Sequence, residues 1–298
     1  MRCMSRPAAI VDVGSNTVRL LVARRRESTV TPTHTDGAKL GLGREIEASG
    51  RVSDTTIAAT AEAVRRFCAD ARAEGAESVE VIVTAPGRQA ENSAELVEAI
   101  ERAAGIVVRV VAAEEEAQLA FAGAVTVAAP RAPVVGVVDL GGASTELAVG
   151  CPNAGPSWAQ SVDLGAVRLT ERLLSATHPA PEDVEAARNA VADAFSGVTP
   201  PLPGAALAVG GSARALGRIL GPCLGRSELA AAASILPACT PDALAERFGV
   251  GKQRAPLLLA AALILAEVQQ RLVVPLAVTE GGVREGALVL GRRAAEAA

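Results

Sequence analysis

Ala8-Ala-Ile-Val-Asp12-Val-Gly14-Ser15-Asn16-Thr17-Val-Arg19-Leu-Leu-Val22 is an apolar, β-branched run broken by an aspartate and a short glycine-containing turn before the apolar run resumes. That order reads as a strand, a tight turn and a second strand. The plan returns in Val134-Val-Gly-Val-Val-Asp139-Leu-Gly141-Gly142-Ala143-Ser144-Thr-Glu146-Leu-Ala-Val149, with Asp139 following Asp12 by 127 residues. This separation is about one domain. The sequence therefore predicts two similar α/β domains, 1–127 and 128–298, facing each other across a cleft to which each offers its turn, with the last helix free to pack back on the first domain.

The rest of the chain alternates helical and strand periods, as an α/β layer requires. Ile57, Ala61, Val64, Cys68 and Ala71 fall at steps of four and three, so 53–74 is a helix with Ser53 as N-cap and Gly75 as its stop. Strands are expected at 78–84, 106–112, 205–209 and 276–278, and helices at 92–104, 114–124, 166–175, from Pro181 onward and from Ser212 onward. The Pro-rich stretch 199–204 is a loop. Residues 256–272 form a helix apolar on most sides, suited either to a core or to an interface between copies.

Composition narrows the function. Of 298 residues half are apolar, yet only four are Phe, one is Trp and none is Tyr, so aromatic stacking is not a main binding device. Lys plus Arg number 29 against 33 Asp plus Glu, a net charge of −4 that argues against a nucleic-acid coat, and an anionic ligand must be met by local arginines. Two His and five Cys without a C-x-x-C pair exclude a zinc site and a disulfide framework, which suits a reducing cytoplasm. No signal peptide is expected. The stretch 255–266 is short of the ~20 apolar residues that span a bilayer, so no membrane is expected either. No G-x-x-x-x-G-K-[ST], G-x-S-x-G or H-E-x-x-H occurs, which excludes a P-loop NTPase, the common serine-hydrolase elbow and a zincin.

The chemistry is concentrated at the turns. Gly14-Ser15-Asn16-Thr17 and Gly141-Gly142-Ala143-Ser144 expose backbone N–H groups that converge on an anion, and the Gly210-Gly211 turn before a helix is a third such place. One Gly turn alone is more simply a hairpin. Two of them, each preceded by an Asp at the end of a buried strand, favour a site, because burying an unpaired carboxylate is expensive. Asp12, Asp139 and Glu146 are hard oxygen ligands suited to Mg²⁺ or Mn²⁺. Glu114-Glu115-Glu116 opens a helix, where acidic residues also simply complement the helix dipole. The other reading makes one of them a general base for water. Arg88 follows a strand end and is either solvated or a clamp on phosphoryl oxygens. Arg19, Arg168, Arg214 and Arg284 extend a positive track, whereas Arg24-Arg25-Arg26 reads as a solvated strand end.

Asp12-Val-Gly-Ser-Asn-Thr-Val-Arg-Leu20, Thr84-Ala-Pro-Gly-Arg88, Glu114-Glu-Glu-Ala-Gln118, Asp139-Leu-Gly-Gly-Ala-Ser-Thr-Glu146, Leu164-Gly-Ala-Val-Arg168, Gly210-Gly-Ser and Gly281-Gly-Val-Arg284 stand in the order found in one family. Across essentially the whole chain the sequence resembles the exopolyphosphatase and guanosine-pentaphosphate phosphatase family, of actin-like (ribonuclease H-like) fold. The resemblance implies Mg²⁺-assisted release of terminal orthophosphate from inorganic polyphosphate, with guanosine pentaphosphate or a catalytically weak sensor role as alternatives. It makes Glu116 the base, with Glu115 the alternative, Arg88 the clamp, Asp139 and Glu146 the metal pair with a contribution from Asp12, and Gly141, Gly142 and Ser144 the phosphate turn. It also implies a homodimer. Two departures stand out: Ala143 replaces the third glycine of the turn, which costs about 1 kcal/mol if that position needs φ > 0, and the chain is too short for the extra helical domains of longer relatives, which favours short substrates.

Overall fold

The computed structural model describes residues 7–26 and 29–296, and divides the chain into two compact units. The first runs to Val127 and takes in the residues from Gly281 on; the second is Ala128–Glu280. The terminal helix, assigned from sequence to the second domain with a return to the first as an option, thus belongs to the first unit.

The first unit contains, in order, β1 (Ala8–Val13), β2 (Thr17–Arg26), β3 (Thr29–Lys39), α1 (Leu42–Ser49), α2 (Asp54–Ala73), β4 (Ser78–Val83), α3 (Ala85–Gln89), α4 (Ser93–Ala104), β5 (Val108–Val110) and α5 (Ala113–Ala128). Its sheet has the order β3-β2-β1-β4-β5, in which the first three strands are an antiparallel meander and β1, β4 and β5 are parallel. Strand alternation sorts the side chains onto two faces. Val11, Val13 and Leu20 pack with Val64, Phe67, Leu96 and Ile100 of α2 and α4, while Ile10, Leu21 and Ile82 pack on the opposite face. Ser53 caps α2 by accepting from the Thr56 amide, and Gly105, in the left-handed region, ends α4.

The second unit contains β6 (Val135–Leu140), β7 (Thr145–Cys151), β8 (Gly155–Val162), α6 (Ala166–Leu173), α7 (Pro181–Ala194), β9 (Ala205–Val209), α8 (Gly211–Leu220), β10 (Cys223–Leu224), α9 (Arg226–Ile235), α10 (Pro241–Phe248), α11 (Leu258–Leu272) and β11 (Leu276–Val278). Its sheet order is β10-β11-β9-β6-β7-β8, again with an antiparallel meander, β9 parallel to β6, β11 parallel to β9, and β10 antiparallel at the edge. The apolar stretch Ala255–Leu272 is long and apolar enough to cross a membrane, but 67% of it is buried inside the unit, where it is the central core helix. That answers the choice between core and interface.

The last helix, α12 (Val283–Glu296), closes the open face of the first sheet, bringing Val283, Ala287 and Leu288 onto Ile10, Leu21 and Leu119. It crosses α5 at backbone contact: a Cβ on Gly123 would lie 1.9 Å from the Gly282 carbonyl oxygen, and one on Gly286 would lie 1.8 Å from that of Leu119. No residue larger than glycine fits there. Several elements escaped the sequence reading for a common reason, of which β3 is the clearest case. It is an edge strand, Thr-rich, interrupted by Pro32 and exposed along most of its length, so no apolar run marks it.

Candidate active site

In the first unit the expected residues gather at the carboxyl ends of the parallel strands, where open α/β sheets bind ligands. Asp12 is the penultimate residue of β1, Arg88 lies in α3 directly after β4, and Glu116 lies in the first turn of α5 after β5. The turn after Asp12 is closed by the Gly14 amide donating to the Thr17 carbonyl at 3.1 Å. Arg88 is neither solvated nor idle: its Nη1 donates to the Val111 carbonyl at 2.7 Å and to Glu116 Oε2 at 2.8 Å. Glu116 is 8% exposed, so this is a largely desolvated, charge-assisted contact. Glu115 is drawn elsewhere. It pairs with Arg109, which also bonds Glu80, while Glu114 is exposed at the helix start. The three neighbouring glutamates therefore have three different settings, and only that of Glu116 is buried beside Arg88.

Asp12 is half-buried, and its fully buried Oδ1 has no hydrogen-bond partner among the described residues. Burial pushes its carboxyl up from 3.8 to about 6, against the opposing pull of Arg284 and Arg19 and with a smaller push from Glu285. A carboxylate in that condition has room for a proton or a cation. Of the arginines expected to form a track, Arg284 donates to the Leu20 carbonyl at 3.2 Å. Arg25, read as solvated, reaches the Val289 carbonyl at 3.2 Å.

In the second unit Asp139 and Glu146 are register partners on β6 and β7. Glu146 is 2% exposed, and Ser161 on β8 donates its hydroxyl to Glu146 Oε1 at 2.9 Å. Gly210 approaches this pair: its φ of 100° is open to glycine, and a Cβ there would lie 3.1 Å from Asp139 Oδ1. Next to it Gly211 makes room for Arg254, whose Nη1 donates to Ser212 Oγ at 3.2 Å and whose guanidinium carbon would be 2.6 Å from a Cβ on Gly211. Burial and the neighbouring Arg214 and Arg218 push the Arg254 pKa down. Among the described residues no carboxylate forms an ion pair with it, so a cation stands beside Gly211 while the Asp139 carboxylate stands beside Gly210.

Among the described residues no three ligating His, Cys, Asp or Glu side chains cluster. Two expectations change. Arg168 is buried and pairs with Asp163, and Arg214 pairs with Glu280 at 3.5 Å, so neither is part of an open track. Ala143 carries no backbone strain, because Ala129 and Val273 are the positive-φ non-glycine residues among those described. Sequence reasoning missed Ser161 and Arg254. The first had a signal in being the cross-strand neighbour of Glu146, whereas Arg254 lies 43 residues beyond Gly211 in a loop with no motif.

Glycine turns after strand-end aspartates, repeated on two α/β sheets and accompanied by a largely buried Arg–Glu pair, are the features that the family comparison meets. The chain belongs to the Ppx/GppA phosphatase family, whose profile matches residues 21–291. It is 31% identical over 86% of its length to an uncharacterised protein of Streptomyces coelicolor, covering 81% of that chain. It is 34% identical to Exopolyphosphatase 2 of Mycobacterium tuberculosis over 61% of this chain and 60% of that one. Among solved structures, the Ppx/GppA enzyme of Aquifex aeolicus superposes with a TM-score of 0.80 at 25% identity, covering 95% of this chain and 99% of that one.

Proposed function

We propose that this chain is an exopolyphosphatase that releases terminal orthophosphate from inorganic polyphosphate. The observation that carries the reading is the buried Arg88–Glu116 pair at the strand ends of a family phosphatase. Glu116 takes a proton from a water molecule as the water oxygen attacks the terminal phosphorus. The bridging P–O bond then breaks, and its electron pair leaves with the shortened chain. Arg88, anchored through the Val111 carbonyl, fixes the orientation of the Glu116 carboxylate. The name of the Mycobacterium tuberculosis relative supports polyphosphate as substrate.

Asp139 and Glu146 fit Mg²⁺ or Mn²⁺: both are hard donors, they face each other across two strands, and one Glu146 oxygen is oriented by Ser161. Two carboxylates with the remaining positions left to water and phosphate oxygens is the usual way a protein holds Mg²⁺. The bound ion would offset charge on the transferred phosphoryl group. The turn amides and Arg254 hold the anionic chain.

The test is orthophosphate release with Mg²⁺ from short polyphosphate, long polyphosphate and guanosine pentaphosphate, comparing the wild type with Glu116→Gln. Release from polyphosphate that falls about 10²- to 10⁴-fold in the variant supports reaction and base together. Release from guanosine pentaphosphate alone replaces the substrate, and release from none of the three overturns the hydrolase reading.

A further inference from the structure

The internal echo extends beyond the two Asp-Gly turns. Leu40-Gly41-Leu42-Gly43-Arg44 and Leu164-Gly165-Ala166-Val167-Arg168 both read Leu-Gly-x-x-Arg, and both follow the third strand of a meander and open an eight-residue helix, α1 and α6. Each helix start returns to the Asp-Gly turn of its own unit. The Gly43 amide donates to the Ser15 carbonyl at 2.6 Å and the Val167 amide to the Gly142 carbonyl at 2.8 Å. Ser15 and Gly142 are equivalent in the echo, as are Gly43 and Val167 in the Leu-Gly-x-x-Arg motif. Further amides complete the grip: Leu40 and Gly41 donate to Asn16 O at 3.2 and 3.3 Å, Ala166 donates to Gly141 O at 3.0 Å and Arg168 to Gly142 O at 3.1 Å.

The side chains at this contact are complementary. Where the turn residue is Ser15 the helix residue is glycine, and a Cβ on Gly43 would lie 2.8 Å from Ser15 Cβ. Where the helix residue is Val167 the turn residue is Gly142. Gly165 is tighter still, since its Cβ would lie 2.5 Å from the Gly142 carbonyl carbon and 2.7 Å from the Ala143 nitrogen. The Arg168 guanidinium, bonded to the Asp163 carbonyl at 2.8 Å and paired with the Asp163 carboxylate, fastens the start of α6 to the end of β8.

Peptide planarity turns this grip into a direction. In a trans peptide the C=O and the following N–H point opposite ways. Carbonyls of Ser15, Gly141 and Gly142 held into a helix start therefore force the N–H groups of Asn16, Gly142 and Ala143 outward from it. None of these three amides has an acceptor among the described residues. Outward, unpaired amides in a turn form a concavity for an anion.

We propose that the two Leu-Gly-x-x-Arg helix starts are braces that aim the amides of Asn16, Gly142 and Ala143 at phosphoryl oxygens, with Gly43 and Gly165 as positioning residues. The identity of the anion rests on the polyphosphate reading above; the direction of the amides does not.

The decisive measurement is an ¹⁵N–¹H titration of the wild type with tripolyphosphate, alongside its hydrolysis. The expected result is that the largest shifts fall on Asn16, Gly142 and Ala143. Gly165→Ala should remove the Gly142 and Ala143 shifts and weaken tripolyphosphate binding about tenfold or more, while Gly197→Ala, where an added Cβ meets nothing within 4 Å, leaves both unchanged. Should Gly165→Ala fail to fold, Gly43→Ala makes the same test at Asn16. Silent amides in a protein that hydrolyses polyphosphate overturn the brace, as does normal binding by folded Gly165→Ala. Shifted amides without hydrolysis leave the brace standing and overturn only the hydrolase reading.

Discussion

The two Asp-Gly turns share a backbone and differ in charge. In both, the glycine after the aspartate closes the turn, by Gly14 N to Thr17 O and by Gly141 N to Ser144 O, and in both a helix start holds the next carbonyl. The cross-strand partner of the aspartate is where they part: Asp12 faces Arg19, whereas the equivalent of Arg19 opposite Asp139 is Glu146. One turn thus sets an acid against a cation, and the other sets two acids together. A repeated scaffold has kept its hydrogen bonds while one change in the register sets its charge.

The sharpest way to break this contrast is Glu146→Gln, which removes one of the paired carboxylates. Phosphate release with Mg²⁺ should fall about 10²- to 10³-fold, and Mn²⁺ binding followed by electron paramagnetic resonance should weaken with it; retention of both would leave the acidic pair without a role. Next in size is Asp12→Asn in protein stripped of divalent ions. Because the folded state binds this proton more tightly than the unfolded chain, stability from this group is greatest below about pH 4, falls as pH rises toward about 6, and stays low above. Asp12→Asn should then stabilise the apoprotein by up to about 3 kcal/mol at pH 7 and by little at pH 4, read from urea unfolding at both pH values. Arg19→Gln should sharpen the same comparison: with a favourable charge removed, the Asp12 carboxyl titrates higher, which moves the pH midpoint of that stability change upward. The smallest effect separates two helix ends. α4 ends at Gly105 with φ of 64°, but α11 ends at Val273 with φ of 63°, a strained setting for a β-branched residue. Val273→Gly should raise the unfolding free energy by about 1 kcal/mol and Gly105→Val lower it by as much.

Much of this was legible in the sequence because it is local. The Asp-Gly turns announce themselves through apolar runs on either side of a glycine, α2 through the spacing of Ile57, Val64 and Cys68, and β9 through an uninterrupted apolar segment with the expected bounds. What was not legible depends on distance or on direction. The pairing of Arg88 with Glu116 rather than with solvent, and of Arg109 with Glu115, is decided by which way adjacent residues of one helix turn face, and three consecutive glutamates give no hint of it. The conformation of Ala143 is set by a helix start more than twenty residues away, so its departure from a glycine pattern could not be priced from the turn alone. Arg254 and α12 reach their places from far along the chain, and periodicity carries no information about where an element lands.

The placement of α12 has a consequence for synthesis. A ribosome delivers the chain from its amino end, so the first sheet is complete while the face bearing Ile10, Leu21 and Ile82 still lacks the part of its cover that α12 supplies, and the contiguous second unit must be translated before Val283 appears. At bacterial or eukaryotic elongation rates this interval lasts roughly ten to thirty seconds. For that time the nascent first unit presents an apolar sheet face that its own later residues are destined to bury. Substitutions on the buried side of α12, at Val283, Ala287 or Leu288, would accordingly register first as a loss of soluble yield in the cell and only second as a change in the purified enzyme.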